Sequence, residues 1–364
     1  MLLSGGSHFT ALSSREFFSV RKTVVALRVA NFVPHFRRPK LRALSSIVFF
    51  LPVVIYAAYW GARDYGTGSD TPAYVWMFQQ YLLGNQQLLA TADKGFLAVM
   101  GTVGRFTHNP SSLFSTICLI IGATFYFGGV FIIRSHKYLI LYVFLLLISP
   151  YYLSININIL RHGLATSAAF LLMALAIKYR NLFAKLITFY IPALFHQVAG
   201  LIALPMIWGT YRAFPLIFWF LAVAGSAFSS LYAPIASQFI PSDYTAYFTA
   251  GIDYRTGFRP DFVAFSAIPL LFALVVPYRK MSPETRWVFN AYLLMNGFGH
   301  LMNFVSYSDR FLTSSWTLLP LLVTLMVKDV NERAFRKKEN KRFFSFVIVV
   351  GTLLVNSFFY LRGA

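Results

Sequence analysis

The sequence predicts an all-α, polytopic integral membrane protein, and three observations carry that expectation. Of its 364 residues 57% are hydrophobic and only 12% charged, with a mean hydropathy of +0.61; a soluble chain carries roughly a quarter charged residues. The apolar residues fall in runs of about 17–25, the length that crosses a bilayer as a helix, and the ten-residue alternation of a membrane β-barrel is missing. The basic residues behind the net charge of +20 stand in short clusters between those runs. That is the charge pattern that sets membrane topology, and it argues against a nucleic-acid partner.

Taken in order, residues 1–42 carry Arg15, Arg21, Lys22, Arg28, Arg37, Arg38, Lys40 and Arg42 among Phe and Val. They lack the short charged region, short apolar core and small-residue end of a cleavable leader, and read as a cytoplasmic, interfacial amphipathic arm. A start near Leu41 is the alternative. A single transmembrane domain over 43–361 follows, with about eleven helices near 43–60, 112–133, 138–154, 161–178, 182–195, 198–210, 213–231, 261–277, 286–305, 311–327 and 343–361. The basic clusters place the amino terminus inside and the carboxyl terminus outside. They also place two long segments, 61–111 and 232–260, on the external side. The aromatic, apolar run from Tyr74 to Leu89 makes the first an ordered, half-buried helix rather than a floppy loop. The lone cysteine, Cys118, sits within an apolar run and reads as a small packing residue.

This topology gathers Asp70, Asp93, Arg161, His196, Asp243, Arg255, Arg259, Asp309 and Arg310 at the external face. Arg161 and Arg310 weigh most, because each stands at a helix boundary among apolar neighbours. An ionisable group at that depth faces a protein interior or an aqueous cavity, and a planar guanidinium there suits bidentate phosphate binding. Arg161 opens its helix, whose N–H groups favour the same anion. His196 is a candidate base or hydroxyl-orienting group. Asp70, on the turn Gly66-Thr-Gly-Ser-Asp70, is either a sugar-hydroxyl ligand or base, or a plain helix cap.

Other residues carry blander readings. His162 diverges from Arg161 by about 100° around the helix and reads as structural. His300 lies mid-helix, either functional as an intramembrane polar group or simply satisfied by Asn303 one turn away. Arg255 and Arg259 read more readily as solvated loop charges, and Asp309 beside Arg310 as a helix cap. Aromatics at Tyr74, Tyr244 and Tyr254 offer sugar-stacking surface if external. There is no phosphate-binding Gly-x-x-x-x-Gly-Lys-Ser/Thr loop, no nucleophile elbow and no His-Glu-x-x-His helix. Neither a cofactor nor a metal is called for.

Four stretches resemble the EpsG-like branch of the Wzy-type polysaccharide polymerases. They are Gly68-Ser-Asp70-Thr-Pro-Ala-Tyr74 with Phe78, Asn158-Ile-Leu-Arg161-His162-Gly-Leu-Ala165, Phe195-His196-Gln-Val-Ala199 before Pro205, and Tyr307-Ser-Asp-Arg310-Phe. With the intervening helices the resemblance covers about 45–330. It departs at His162, where the family commonly has glutamine. The resemblance implies a bacterial inner-membrane glycosyltransferase of GT-C-like build. Such an enzyme works on undecaprenyl-diphosphate-linked oligosaccharide at the periplasmic face and transfers glycan to a sugar hydroxyl of a lipid-linked repeat. A chain-length regulator is an implied partner beside membrane lipids. On that reading His196, Asp70 and Arg161 are catalytic, while Arg161, Arg310, Tyr74, Asp93, Arg255 and Arg259 bind substrate.

Three other classes compete with this reading. An O-antigen-ligase-like transferase takes the same donor but places the glycan on a lipid core. A lipid-linked oligosaccharide flippase would carry charged residues along its whole path and internal repeats, whereas here the charges gather at one face. An acyltransferase would need a donor route from the cytoplasm.

Overall fold

A computed structural model describes residues 39–179, 190–208, 214–239 and 256–361. Two units separate along the chain, residues 1–46 and 47–364; of the first, only the helical residues 39–46 are described. The amphipathic arm proposed for 1–42 and the segment 240–255, with Asp243, Tyr244, Tyr254 and Arg255, therefore lie outside the described residues or almost so.

Among the described residues every regular element is a helix. The amino-terminal half begins with α1 (Pro39–Gly61), followed by α2 (Thr71–Leu82), α3 (Gln86–Thr91) and α4 (Lys94–Gly104). Next come α5 (Pro110–Ile132), α6 (His136–Leu147), α7 (Pro150–Ile157) and α8 (Leu160–Tyr179). A helical turn at 190–195 leads to α9 (Gln197–Ile202) and α10 (Leu204–Trp208). The remainder holds α11 (Phe214–Ser226), α12 (Ser229–Ala236), α13 (Pro260–Ser266), α14 (Ile268–Val275) and α15 (Pro283–Leu301). It ends with α16 (Asp309–Trp316), α17 (Leu319–Asp329) and α18 (Lys338–Leu361).

Starts follow local chemistry. Asn109 precedes Pro110, Ser149 precedes Pro150 and Ser282 precedes Pro283, and each polar side chain accepts from a first-turn N–H of its helix. Proline there gives up an N–H that has no intrahelical partner anyway. The main packing pairs are α5 with α8, α11 with α15, α15 with α16, and α17 with α6. Small residues on α8, among them Gly163, Ala165, Ala169 and Ala174, are buried, which lets neighbouring backbones approach closely as they do in membrane bundles. Phe170 fills the α5–α8 seam, its ring 4.7 Å from that of Phe125.

By length and apolarity, four of the described helices can cross a membrane: Pro110–Ile132, Leu160–Tyr179, Asp309–Ala334 and Lys338–Phe359. Six can if two bent pairs each count as one span: α6 with α7, bent 59°, and α11 with α12, bent 95°. The sequence expectation of eleven is larger for physical reasons. The apolar stretches at Ile47–Gly61, Gln197–Ile207 and Pro260–Val275 form shorter helices. α15 is long enough but buries Asn290, Asn296 and His300. The expected helix at 182–195 falls largely outside the described residues. Arg310 and Asp329 stand 19 positions apart on the 26-residue segment Asp309–Ala334, about 28 Å at 1.5 Å per residue.

The segment 61–111 folds into α2, α3 and α4; the helix expected from Tyr74 to Leu89 is ordered but divided in two, with Gly84 at φ +72 in the break. Two glycines let it sit close to the bundle. Gly68 adopts φ +84, and a Cβ there would collide with Ile157 and Asn158. A Cβ on Gly95 would come within 2.9 Å of the Leu194 carbonyl oxygen and the Phe195 ring. α4 thus begins directly against the turn that presents His196.

Candidate active site

Asp70 and Asp93 occupy the N-cap positions of α2 and α4, yet neither side chain caps its helix. Elsewhere the chain caps in the ordinary way: Asn85 Oδ1 accepts from Leu88 N at 3.1 Å and Asn109 Oδ1 from Ser111 N at 2.9 Å. The two carboxylates turn toward arginines instead. Arg310 donates to Asp70 Oδ2 across 3.1 Å, and Arg161 donates to Asp93 Oδ2 across 3.0 Å. Asp70 Oδ1 also accepts from the Ser69 hydroxyl at 2.9 Å. The alternative reading of Asp70 as a simple cap is thereby removed.

His196 joins the second pair. Its Nδ1 lies 3.8 Å from the same Asp93 Oδ2 that Arg161 holds. Extended backbone at His196 (φ −166, ψ 113) sets the ring just ahead of α9. One carboxylate oxygen therefore faces a guanidinium and an imidazole, the arrangement in which an aspartate orients a histidine ring. Side-chain exposures are 35% for Arg161, 32% for Arg310, 25% for Asp70, 22% for His196 and 13% for Asp93. The cluster opens to solvent without being solvated throughout.

Tyr74 connects the two pairs. It is one turn from Asp70, 6% exposed, and packs against Phe96 with ring centroids 5.7 Å apart. Burial pushes its phenol above the ordinary tyrosine value; the Arg161 guanidinium opposes that shift and the Asp70 charge reinforces it. The hydroxyl therefore stays protonated and neutral beside the arginine. On the other side, Arg310 lies 4.8 Å from the Tyr307 ring centroid. Tyr307 itself takes φ +60, a left-handed conformation costly for a bulky residue and common where a chain reverses at a functional site. That reversal starts α16 with Arg310 in its first turn.

Arg161, Arg310, His196, Asp70, Asp93 and Tyr74 thus meet in one cluster. Arg259 is placed differently: it grips Asp261 through Nε at 3.0 Å and Nη2 at 2.6 Å, and its guanidinium covers the Phe262 ring at 3.9 Å. That pair belongs to the start of α13. Arg255 lies outside the described residues.

Sequence reasoning missed two features. His162, read as structural, packs beside the cluster with its ring 5.9 Å from that of His196. Arg63, 7% exposed, donates to Trp60 O at 2.8 Å, Thr71 Oγ1 at 3.2 Å and Ile157 O at 3.3 Å. It fastens the end of α1 to the start of α2 and the end of α7. Burial pushes the Arg63 guanidinium down from its ordinary value. An arginine two residues past an apolar helix was the available signal.

A family model described as the EpsG family matches residues 46–363. The chain belongs to the EpsG family. All of the clustered residues fall inside the matched range. Membership in the EpsG family carries a polysaccharide-polymerase-like role for a membrane-embedded protein, in keeping with the apolar helices. No curated protein and no solved structure matches the chain.

Proposed function

We propose that this chain polymerises a bacterial surface polysaccharide (O-antigen, capsule or exopolysaccharide). It would transfer a glycan from undecaprenyl diphosphate to a sugar hydroxyl of a lipid-linked repeat, at the periplasmic face of the inner membrane. The observation that supports it most is the convergence of Arg161 and His196 on Asp93 Oδ2, at 3.0 and 3.8 Å, beside a second arginine–aspartate pair. An anionic leaving group and a hydroxyl nucleophile need this combination of cations and a proton acceptor.

The step is a direct displacement at the anomeric carbon. The bond from that carbon to the diphosphate oxygen breaks, and its electron pair leaves with the diphosphate. Arg161 and Arg310 stabilise the charge that develops there, so the reaction as drawn runs without ATP and without a metal. The acceptor oxygen forms the new glycosidic bond, and its proton passes to His196 Nε2 while Asp93 steadies the ring from Nδ1. Asp70 positions the acceptor sugar, while Tyr74, buried beside Arg161, steadies that guanidinium. Because the arginines are already paired, a bound diphosphate competes with Asp70 and Asp93 for them, which leaves these carboxylates to face the acceptor hydroxyls. A GT-C-like architecture, a cytoplasmic amino terminus and a chain-length regulator as partner complete the proposal.

The test is complementation of a polymerase-deficient strain with Arg161→Ala and Arg161→Lys, with polymer length read on gels and membrane levels measured in parallel. Loss of long polymer with accumulation of single lipid-linked repeats is the expected result. Unchanged long polymer in Arg161→Ala would remove this residue from the mechanism.

A further inference from the structure

His162 sits at the corner where α8, α9 and α16 meet, and its bonding joins the two helices that carry the arginines. Its Nε2 lies 2.7 Å from Ser314 Oγ, and Thr166 Oγ1, one turn along α8, lies 3.1 Å from the same oxygen. His162 follows Arg161 directly in sequence, and Ser314 is one helical turn from Arg310. The Ser314 hydroxyl therefore bridges α8 and α16 within one helical turn of both arginine positions. One donor assignment satisfies the whole chain: Thr166 donates to Ser314, and Ser314 donates to Nε2 of a neutral His162.

Burial separates this group from the cluster itself. His162 is 4% exposed, Ser314 and Thr166 are fully buried, and Arg161, Arg310 and His196 are 22–35% exposed. A ligand can reach the second set and not the first. In a membrane-embedded interior, hydroxyl and imidazole bonds between helices fix register, because the alternative is an unsatisfied polar group.

We propose that His162, through Ser314 and Thr166, is a positioning residue. It sets the spacing and depth of Arg161 against Arg310 so that both reach one diphosphate, and it backs the His196 ring. This rests on the diphosphate-site reading given above. The diphosphate does not touch His162; it feels His162 through the geometry of the two arginines, where a displacement of an ångström is costly.

The experiment uses the full chain purified in detergent, with farnesyl diphosphate as probe, and measures both its Kd and the thermal midpoint. H162L and S314A should each weaken binding by about tenfold, the scale of one lost buried hydrogen bond. H162Q, whose amide can also bond Ser314 Oγ, should stay within about threefold of the unsubstituted protein. The double variant H162L/S314A should bind no more weakly than H162L alone, since both remove the same link. If H162L fails to accumulate, S314A and T166V carry the test.

A lowered thermal midpoint with unchanged Kd in H162L and S314A would overturn the proposal and leave His162 a packing residue. H162Q as weak as H162L, with S314A unchanged, would also overturn it, because His162 would then contact the ligand itself. R161A and R310A are the separate control. If both bind like the unsubstituted protein, the diphosphate-site reading fails and takes this proposal with it. If they lose binding while H162L and S314A keep it, only the positioning role fails.

Discussion

The two ends of the segment Asp309–Ala334 use the same residue types in opposite ways. At one end Arg310 faces Asp70 across 3.1 Å, with side chains 32% and 25% exposed. At the other, Asp329 is fully buried and its Oδ2 accepts from Ser282 N at 2.8 Å and Thr285 Oγ1 at 2.6 Å. Arg333 Nε stands 3.6 Å from its Oδ1. The buried carboxylate staples the start of α15 to the end of α17, and removing it takes the acceptor from a buried backbone N–H and a buried hydroxyl. The exposed pairs are held mainly by charge, so an anion can take the carboxylate's place without dismantling a helix. Buried bonding to a helix start marks structure; exchangeable pairing marks the candidate site.

That contrast is sharpest for Arg161→Ala. Polymer formation should fall by about 10²–10³-fold, the usual cost of removing a group that stabilises leaving-group charge. Stability should shift by no more than about 1 kcal/mol, since the pair is partly exposed. Polymer per membrane-inserted molecule, set against thermal midpoint, checks both halves. Asp329→Ala should behave in reverse, losing on the order of 3 kcal/mol of stability while each surviving molecule polymerises normally. A large loss of activity at unchanged stability in Asp329→Ala would collapse the distinction.

Asp70→Asn refines it further. The ion pair with Arg310 disappears with a stability change within about 1 kcal/mol, while polymer yield drops by about tenfold through loss of an acceptor hydrogen bond. Wild-type yield in that variant would return Asp70 to a purely architectural role. The smallest effect belongs to Tyr74→Phe. Loss of a hydroxyl beside Arg161 should weaken the apparent affinity for the lipid-linked substrate by about threefold, read as a shift in the substrate concentration for half-maximal polymer.

Much of this arrangement was legible in the sequence because ionisable residues at apolar helix ends are expensive and therefore informative. Arg161, Arg310 and His196 announced themselves in that way, and Asp70 by its glycine-rich turn. The order of the apolar runs was legible too, with α5 and α8 falling within two residues of their expected bounds. Pairings were not. Hydropathy does not reveal that Asp93 rather than Asp70 sits beside His196, since that depends on Gly95 letting α4 close against Leu194. The bend of 59° between α6 and α7 follows from a Ser-Pro step that reads as a loop boundary only once its direction is known. His162 looked inert because adjacent helical residues diverge, but the face it points to holds α16 and carries Ser314.

The spacing of Arg310 and Asp329 along a single membrane segment has a consequence for the lipid. About 28 Å of helix separates them, close to the roughly 30 Å hydrocarbon thickness of a typical bilayer. On the membrane placement proposed above, one charged residue marks each leaflet boundary and the segment measures the hydrocarbon thickness. In long-chain lipid the Arg310 end is drawn toward the acyl region, and in short-chain lipid it stands among the headgroups, with tilt absorbing part of the mismatch. On that placement the hydration of the cluster would track membrane thickness, and acyl-chain composition would tune the site with no change in the protein.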